Sequence, residues 1–300
     1  MCRAAARLIR LLESLDAAGR IDRIAITNAA GRITACSNFF NNAVKTGFTY
    51  QFDLVGRPIV RNDDTFSYDR IGQVVGMTRG GQTPRTDTYA YDSIGNRTMS
   101  YDQSCGSQTY TANELNQYTQ TTLSDWTYDA DGNLVWSYVD TEFCWDAENR
   151  LVGLTNGLVN IRYVYDAKHR RVAAFYGPPN GPTTIHDSRN LFVYDGWNVL
   201  YEQEDVQYGG TWECYRDIDY FWGPDLSGTL QGAGGVGGLI AVSIAGQYYF
   251  PCYDNMGNIV AYVDEAGTTV ASYSRRHGDR PIWNLCRFFS GGWTVRGGQW

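Results

Sequence analysis

The sequence predicts an all-β fold built from long antiparallel β-hairpin repeats, and three observations support this prediction. A Tyr-Asp-x-x-Gly motif recurs along the chain, with its clearest copy at Tyr128 to Gly132. Asp129 can accept a hydrogen bond from the backbone N–H two residues on, and Gly132 can take a positive φ at the fourth corner of the turn. Aromatic residues before the turn and aliphatic residues after it then run back as paired strands. The composition, with 22 Tyr, 33 Gly and 8 Pro, is typical of strands and tight turns.

The turn signal repeats, with Asp or Asn followed three residues later by Gly, Asn or His. Among residues other than Gly, Asn and His are two that tolerate the left-handed region well. From Gly56 to His169 the spacing is roughly twenty residues, which suits repeated units that bury a face only against their neighbours. Further copies occur at Asp16–Gly19, Asn28–Gly31 and Asn113–Asn116. The predicted structural turn residues are Asp53 and Gly56, Asp69 and Gly72, Asp92 and Gly95, Asp129 and Gly132, Asp146 and Asn149, Asp166 and His169, Asp195 and Asn198, and Asp254 and Gly257.

An aromatic-x-aromatic pair precedes most of these turns, as in Phe66 with Tyr68 and Trp126 with Tyr128. Residues two apart on a strand share a face, so we expect an aromatic ladder on one face of the sheet. Each cross-strand aromatic pair contributes about 0.2–1 kcal/mol beyond an alanine pair. A β core accounts for these residues, and a sugar-binding aromatic platform is the functional alternative.

Four segments differ in their pattern. Residues 1–47 combine a short helix predicted over 2–17, where Ala and Leu recur at helical spacing, with the first weak repeats. Residues 48–198 carry the regular repeat. Residues 199–273 begin with the acidic residues Glu202, Glu204 and Asp205, continue through a glycine-rich stretch that predicts a special loop, and regain the repeat at Tyr253. Residues 274–300 lose the pattern and predict an irregular or disordered tail.

Charge and hydropathy exclude several classes of function. The formal net charge of −7 argues against a nucleic-acid backbone as partner, since such partners need a basic stripe. No apolar run reaches the ~18–20 residues of a membrane-spanning helix, and the first fifteen residues do not form a signal peptide. The seven Cys are dispersed, which favours mostly buried thiols over a disulfide framework or a zinc site. A Cys214–Cys252 disulfide is the alternative.

Several motifs resemble binding sites but lack an essential part. Gly232-x-Gly234-x-x-Gly237 has no helix signal after it, so close backbone packing explains it better than a dinucleotide site. A calcium loop around Asp129 would place Tyr138 where a Glu is needed. The three His have no metal-ligand spacing. We therefore predict no cofactor and no metal.

Asp225, in Gly223 to Gly228, is the acid outside the repeat with an unusual setting. A turn is the favoured interpretation, and a catalytic acid is the alternative. No nucleophile, base and orienting residue come together in the sequence. The chain is therefore predicted not to be an enzyme.

Taken as a set, these motifs resemble the YD-repeat, or Rhs (rearrangement hotspot), family. The segments Trp222 to Ile240 and Tyr253 to Tyr273 are also similar to the Rhs repeat-associated core region, and the resemblance covers about residues 48–273. The dipeptides that carry it are Tyr68-Asp69, Tyr91-Asp92, Tyr128-Asp129, Trp145-Asp146, Tyr165-Asp166, Tyr194-Asp195 and Tyr253-Asp254.

The resemblance implies a hairpin sheet that winds as a spiral and closes into a hollow shell. In this family the shell encloses a toxic C-terminal domain, and bacterial members act against competing cells or insects. Related animal receptors use the shell for recognition at the cell surface. About eleven turns are too few to close a cage, so we expect an incompletely closed β-shell with open edges. The family resemblance places the chain outside the cell or on its surface.

The chain departs from the family pattern after Tyr273, where Ser274 to Gly278 replace the next expected repeat. No Asp-Pro motif or toxin follows, so no catalytic residue is carried over, and a truncated or frame-shifted product would show this pattern. The sequence predicts a non-catalytic shell fragment of an Rhs-type polymorphic toxin or cell-surface protein. Its expected partners are the remaining shell or the effector domain. A recognition, carbohydrate-binding or adhesion module for a surface glycan or protein is the alternative function.

Overall fold

A computed structural model shows antiparallel β structure throughout the part of the chain that it describes. The described residues are 8–9, 21–28, 30–81, 83–103, 105–137, 140–157, 159–178 and 187–273. They form 24 strands in two sheets and contain no helix. In each sheet the strands follow one another in sequence order, and neither sheet closes on itself. The prediction of an all-β, incompletely closed hairpin sheet is confirmed.

The first sheet has eleven strands, each antiparallel to the next. They are β1 (Leu8–Ile9), β2 (Ile21–Thr27), β3 (Ile33–Phe40), β4 (Ala43–Phe52), β5 (Pro58–Arg61), β6 (Asp64–Tyr68), β7 (Val74–Arg79), β8 (Arg85–Tyr91), β9 (Arg97–Asp102), β10 (Gly106–Ala112) and β11 (Tyr118–Thr121).

The second sheet has thirteen strands in the same serial arrangement. They are β12 (Thr127–Tyr128), β13 (Leu134–Ser137), β14 (Thr141–Trp145), β15 (Leu151–Thr155), β16 (Asn160–Tyr165), β17 (Arg171–Gly177), β18 (Ser188–Asp195), β19 (Asn198–Tyr208), β20 (Thr211–Trp222), β21 (Leu239–Ile244), β22 (Gln247–Tyr253), β23 (Ile259–Asp264) and β24 (Thr269–Ser272).

The regular strands show the two-residue alternation that the sequence predicts. In β6, Phe66 and Tyr68 are half-buried on one face, while Thr65 and Ser67 are exposed on the other. Between β11 and β12 the backbone N–H of Trp126 donates to the Thr119 carbonyl at 2.9 Å. The two sheets therefore follow one another along the chain with only a short interruption in pairing.

The apolar core has two clusters, one formed within β20 to β24 and one formed where the beginning of the chain packs on its end. Phe40 of β3 packs against Phe250 of β22, with ring centroids 5.7 Å apart. Asn38, fully buried, donates to the Tyr253 carbonyl at 2.8 Å and accepts from the Tyr253 N–H at 3.0 Å. The side chain of Asn38 thus hydrogen-bonds to both backbone groups of Tyr253 in a buried setting. Residues more than 200 positions apart are held together by this contact.

The predicted N-terminal helix is wrong for the two residues of 2–17 that the structure describes. Leu8 and Ile9 form strand β1, paired with Ile26 and Ala25 of β2. An isolated helix of this length is marginal in water, whereas β2 offers unpaired backbone groups for an added strand. The rest of 2–17, the turn at Asp16–Gly19 and the predicted tail 274–300 lie outside the described residues.

The cysteine prediction is partly corrected. Cys36, Cys105, Cys144, Cys214 and Cys252 are free thiols, so the alternative Cys214–Cys252 disulfide does not form. Cys36 and Cys252 are buried as predicted, but the other three are exposed. Cys144 is exposed because strand alternation places it opposite the half-buried Phe143 and Trp145.

Candidate functional site

The repeated turn is the most regular feature of the molecule, and the Asp129 copy shows its geometry. The Oδ1 atom of Asp129 accepts hydrogen bonds from the N–H groups of Asp131, at 3.0 Å, and Asn133, at 2.8 Å. The Gly132 N–H donates to the Asp129 carbonyl at 3.2 Å, and φ of Gly132 is 86°. This positive φ explains why Gly, Asn or His stands at the fourth corner.

The same pair of side-chain hydrogen bonds recurs at nine further turns. Their fourth corners are in the left-handed region, for example Gly56 at 96°, Asn149 at 57° and His169 at 61°. The residues that open these turns are Asn28, Asp53, Asp69, Asp92, Asn113, Asp146, Asp166, Asp254 and Asp264.

The turn at Asp195 differs from the predicted geometry. Asp195 pairs directly with Asn198, and the left-handed residue is Gly196, with φ of 56°. Asn198 is buried at the start of β19 and is not a left-handed corner. Gly at the second position lets the chain reverse through two residues only, so the longer turn does not form.

The carboxyl groups of Asp129 and Asp146 have lowered pKa values because of the hydrogen bonds they accept. At Asp129, the Asn133 side chain and then backbone N–H groups lower the pKa of the carboxyl group. At Asp146 the Arg150 backbone N–H has the largest effect and also lowers the pKa. A carboxylate in this setting stabilises a turn and is poorly suited to general acid catalysis.

At several turns, the residue after the fourth corner links its own turn to the next one by side-chain hydrogen bonds. Arg57 pairs with Asp53 at 2.6 Å and also donates to the carbonyl of Asp69, in the following turn, at 3.4 Å. Asn133 likewise donates to Asp129 at 3.0 Å and to Asn149 at 2.9 Å. Turns that are two strands apart in the sheet are therefore linked in series.

A Tyr or Trp before most turns makes a second kind of hydrogen bond, to a preceding strand, and we call both kinds of link ties. The Tyr68 hydroxyl donates to the carbonyl of Pro58, two residues beyond the previous fourth corner, at 2.7 Å. The same relation holds for Trp145 Nε1, which donates to the Leu134 carbonyl at 2.8 Å. The other aromatic residues that donate to a preceding strand are Tyr91, Tyr128, Tyr165, Tyr194, Trp222 and Tyr253. The sequence reveals the recurrence of these residues, but their hydrogen-bonding role emerges only from the strand register.

The aromatic ladder is largely covered by arginine side chains. The guanidinium carbon of Arg57 lies 4.7 Å from the centre of the Tyr68 ring, and that of Arg170 lies 5.1 Å from the centre of Tyr194. Tyr89 and Tyr163 are buried. Ring faces occupied by guanidinium groups are not free to stack on a sugar, so this geometry does not favour the carbohydrate platform.

Residues 223–238 form an expanded version of the turn. The Gly223 N–H donates to the Gly238 carbonyl at 2.8 Å, closing the loop as Asp129 and Asn133 close a regular turn. The Tyr253 hydroxyl then reaches the Leu239 carbonyl, two residues beyond the left-handed Gly237. Where the sequence repeat is interrupted, the structure therefore has the same closing hydrogen bond and the same hydroxyl-to-carbonyl bond as a regular turn, around a longer loop.

Asp225 organises this expanded turn and is only 2% exposed. It accepts hydrogen bonds from the Ser227 hydroxyl at 2.5 Å and from the N–H groups of Ser227, Ala233 and Gly235 at 2.9, 2.6 and 3.0 Å. Burial opposes ionisation, but these bonds outweigh it and lower the pKa of Asp225 to about 2. A Cβ at Gly235 would collide with the Asn198 amide oxygen, which explains the glycine there. This environment suits a loop anchor and does not favour the alternative of a catalytic acid.

Among the residues that the structure describes, no three His, Cys, Asp or Glu side chains group as metal ligands. No helix within the same residues is long and apolar enough to cross a bilayer.

Comparison with known proteins agrees with this architecture. A family model for the teneurin YD-shell matches residues 27–175. The fold is similar to that in the crystal structure of TcdB2-TccC3-Cdc42, with a TM-score of 0.61 and 16% identity, over 84% of this chain and 14% of that chain. Over residues 27–175 the chain belongs to the YD-repeat family. A structure of TcdB2-TccC3 without its hypervariable C-terminal region also matches this YD-repeat chain, with a TM-score of 0.53, 13% identity and the same coverage of 84% and 14%.

Two curated relatives match this YD-repeat chain in sequence. The tRNA3(Ser)-specific nuclease WapA of Bacillus spizizenii and the tRNA nuclease WapA of Bacillus subtilis are each 28% identical over 214 residues. The match covers 69% of this chain but only 8% of either relative. The repeated turn and its ties give this chain the structural role of a shell sheet.

Proposed function

We propose that this chain is a non-catalytic segment of a YD-repeat shell that encloses a C-terminal effector domain of a larger Rhs-type protein. The observation that carries the proposal is the use of the motif side chains. Most turn Asp residues, such as Asp129, accept hydrogen bonds from backbone N–H groups, and most of the aromatic residues before them, such as Tyr68, join neighbouring strands. The polar groups of the motif side chains are therefore used to form turns and to join strands, which is the role expected of a wall.

The division of the chain follows from this proposal. Residues 48–198 would form the regular wall and residues 199–273 the core-associated segment, while β1 to β3, within residues 1–47, would begin the sheet. The predicted turn residues, from Asp53 to Gly257, would serve as structural corners of the wall. The partners would be the remaining shell and the effector, and the assembled protein would act outside the cell or at its surface.

The nuclease activity named for the WapA relatives is assigned here to parts of those proteins outside the matched region. The match covers only 8% of each relative, and a family model for a YD-shell matches residues 27–175 of this chain, which supports this assignment. Incubating the purified chain with total tRNA and a divalent metal should leave the tRNA intact. Cleavage that persists through purification and is lost on substitution of one acidic residue would contradict the non-catalytic assignment.

Enclosure can be tested by joining a small reporter domain after Trp300 of the full chain. Because the sheet is open, we expect it to shield only part of the cargo, so an added protease should cleave the reporter about twofold more slowly than the same reporter joined to an unrelated all-β domain of equal size. An Asn38→Ala variant, which loosens the contact between β3 and β22, should lose part of the protection. Equal cleavage rates in the two fusions would overturn the enclosure proposal.

A further inference from the structure

One edge of the first sheet carries a row of exposed aliphatic side chains. Ile71 and Ile94 are 74% and 70% exposed, and each lies at the third position of a repeated turn. In a sheet whose strands follow in sequence order, alternate turns project from the same edge, about 9.5 Å apart. The members of this aliphatic row are Leu54, Val55, Ile71, Ile94 and Leu115.

The turn itself does not require an aliphatic residue at this position. Asp131, Glu148 and Lys168 occupy it at three turns of the second sheet, with the same backbone N–H donating to the turn Asp, and Met256 and Ala266 occupy it at two others. The fold therefore tolerates charge there, and the aliphatic side chains of the first sheet have another cause. Contiguous exposed apolar residues on a polar surface are typical of an interaction site.

The aliphatic row continues from a contact between sheet segments that already exists in the molecule. The Tyr50 hydroxyl accepts a hydrogen bond from the Asn255 N–H at 3.4 Å, on the side of β4 that leads into the first turn of the row. Tyr50 also stacks on Phe52, with ring centroids 6.4 Å apart, and Leu54 and Val55 follow directly. The row thus extends the surface on which one part of the wall meets another.

We propose that the aliphatic row is an interface between YD-repeat sheets and that the same row of a second copy of this chain covers it. Two identical rows have the same spacing, so a two-fold axis lets their side chains interdigitate along their whole length. The interface would be isologous, with each copy contributing Val55, Ile71, Ile94 and Leu115. This inference deepens the proposed function, since it assigns a partner to the edge of the proposed wall.

Sedimentation velocity of the full chain over a range of concentrations tests the proposal. The wild type should associate reversibly into a species with the mass of two chains. The double variant Ile71→Asp, Ile94→Asp should raise the dissociation constant by about tenfold or more, because two buried aliphatic contacts are lost and charges are introduced. The matched control Glu148→Gln, Lys168→Gln changes the same turn position in the second sheet and should not alter association.

Two results would overturn the second copy as the occupant of the row. One is a wild type that sediments as a single chain at every concentration, and the other is association that the double variant leaves unchanged. Circular dichroism and the denaturation midpoint check that the double variant is folded, which the charged residues at this position in the second sheet lead us to expect. The reporter fusion distinguishes this inference from the enclosure proposal. If a chain that does not associate protects the reporter from protease, only enclosure is supported. If the chain associates but does not protect the reporter, only the interface at the aliphatic row is supported.

Discussion

Strands β5 to β17 and strands β20 to β24 contain the same turns but differ in what lies against their faces. In the first region the aromatic rings are mostly half-buried and are covered by arginine side chains of the same sheet, as Arg57 covers Tyr68. In the second region Val242, Val263 and Tyr262 are fully buried, and β3 packs across β22 and β23. The same turn motif therefore occurs both in a half-buried single sheet and in a fully buried, packed part of the molecule. Turn and tie geometry is independent of burial, whereas the apolar contribution to stability is concentrated at the end of the chain.

The largest effect should come from breaking the packed region. Phe250→Ala removes the ring that packs on Phe40 and should lower the free energy of unfolding by about 3–5 kcal/mol, because a buried ring leaves a cavity. The matched change in the single layer, Phe66→Ala, should lower it by only ~1 kcal/mol, since that ring is half-buried. Equilibrium denaturation followed by tryptophan fluorescence measures both. Equal decreases in the free energy of unfolding would show that the two regions do not differ in their apolar packing.

The polar part of the long-range contact should have the next largest effect. Asn38→Ala leaves the buried N–H and carbonyl of Tyr253 without their side-chain partner, which should lower the free energy of unfolding by about 2 kcal/mol. Asn133→Ala removes two exposed ties in the regular region and should change it by less than ~0.5 kcal/mol. Chemical denaturation of the two variants gives the comparison, and an Asn133 effect as large as that of Asn38 would contradict it.

The same hydroxyl-to-carbonyl tie can be removed in both environments. Tyr253→Phe should lower the free energy of unfolding by about 2 kcal/mol, because the Leu239 carbonyl is left unpaired in a buried setting. Tyr165→Phe removes the half-buried tie to Leu151 and should lower it by about 1 kcal/mol. Denaturation midpoints measure the difference. A larger loss at Tyr165 than at Tyr253 would mean that burial does not set the strength of the tie.

The smallest effect concerns Glu202, which lies between the two regions. Burial raises the pKa of its carboxyl group, although hydrogen bonds from Tyr220 and Asn190 oppose this, with Glu204 and Arg216 nearby. A raised pKa means that the folded state binds the proton more tightly than the unfolded state, so stability falls as pH rises through that range. Glu202→Gln should therefore raise the denaturation midpoint modestly at pH 7 and have little effect below the ordinary glutamate pKa of about 4.3.

Glu204→Gln is the matched control for the pH effect. The Glu204 carboxylate lies 2.6 Å from the Arg216 guanidinium, so losing its charge should lower the denaturation midpoint at pH 7. Denaturation at pH 7 and pH 4 compares the two variants. If Glu202→Gln destabilised the protein at pH 7, the proposed desolvation of its carboxylate would be refuted.

The parts of the fold that the sequence predicts are those set by neighbouring residues. Asp129 and Gly132 specify their turn within four positions, and the pattern of Phe66 and Tyr68 specifies which face of β6 is half-buried. The Asp195 turn differs because Gly196 offers an alternative left-handed residue one position after the Asp. Local chemistry permits both turns there, and the motif alone does not choose between them.

The parts that the sequence does not predict depend on residues that are distant along the chain. Nothing near Asn38 indicates that it binds Tyr253, and the apolar core around Phe40 and Phe250 arises from the same non-local contact. The glycine-rich stretch is predicted as a special loop, but its role as an expanded turn around Asp225 depends on the pairing of β20 with β21. Strand register gives these residues their partners.

The serial ties between turns have a consequence for how such a wall could change in length. Arg57 joins its turn to the one after it, and Asn133 does the same farther along, so each two-strand unit depends mainly on the units on either side. Where the link ends on a backbone carbonyl, as from Arg57 to Asp69, duplication or deletion of one unit would leave it a partner of the same kind. A gene encoding this sheet can therefore grow or shrink by whole hairpins, with the long-range contact of Asn38 and Tyr253 setting where the two ends must meet.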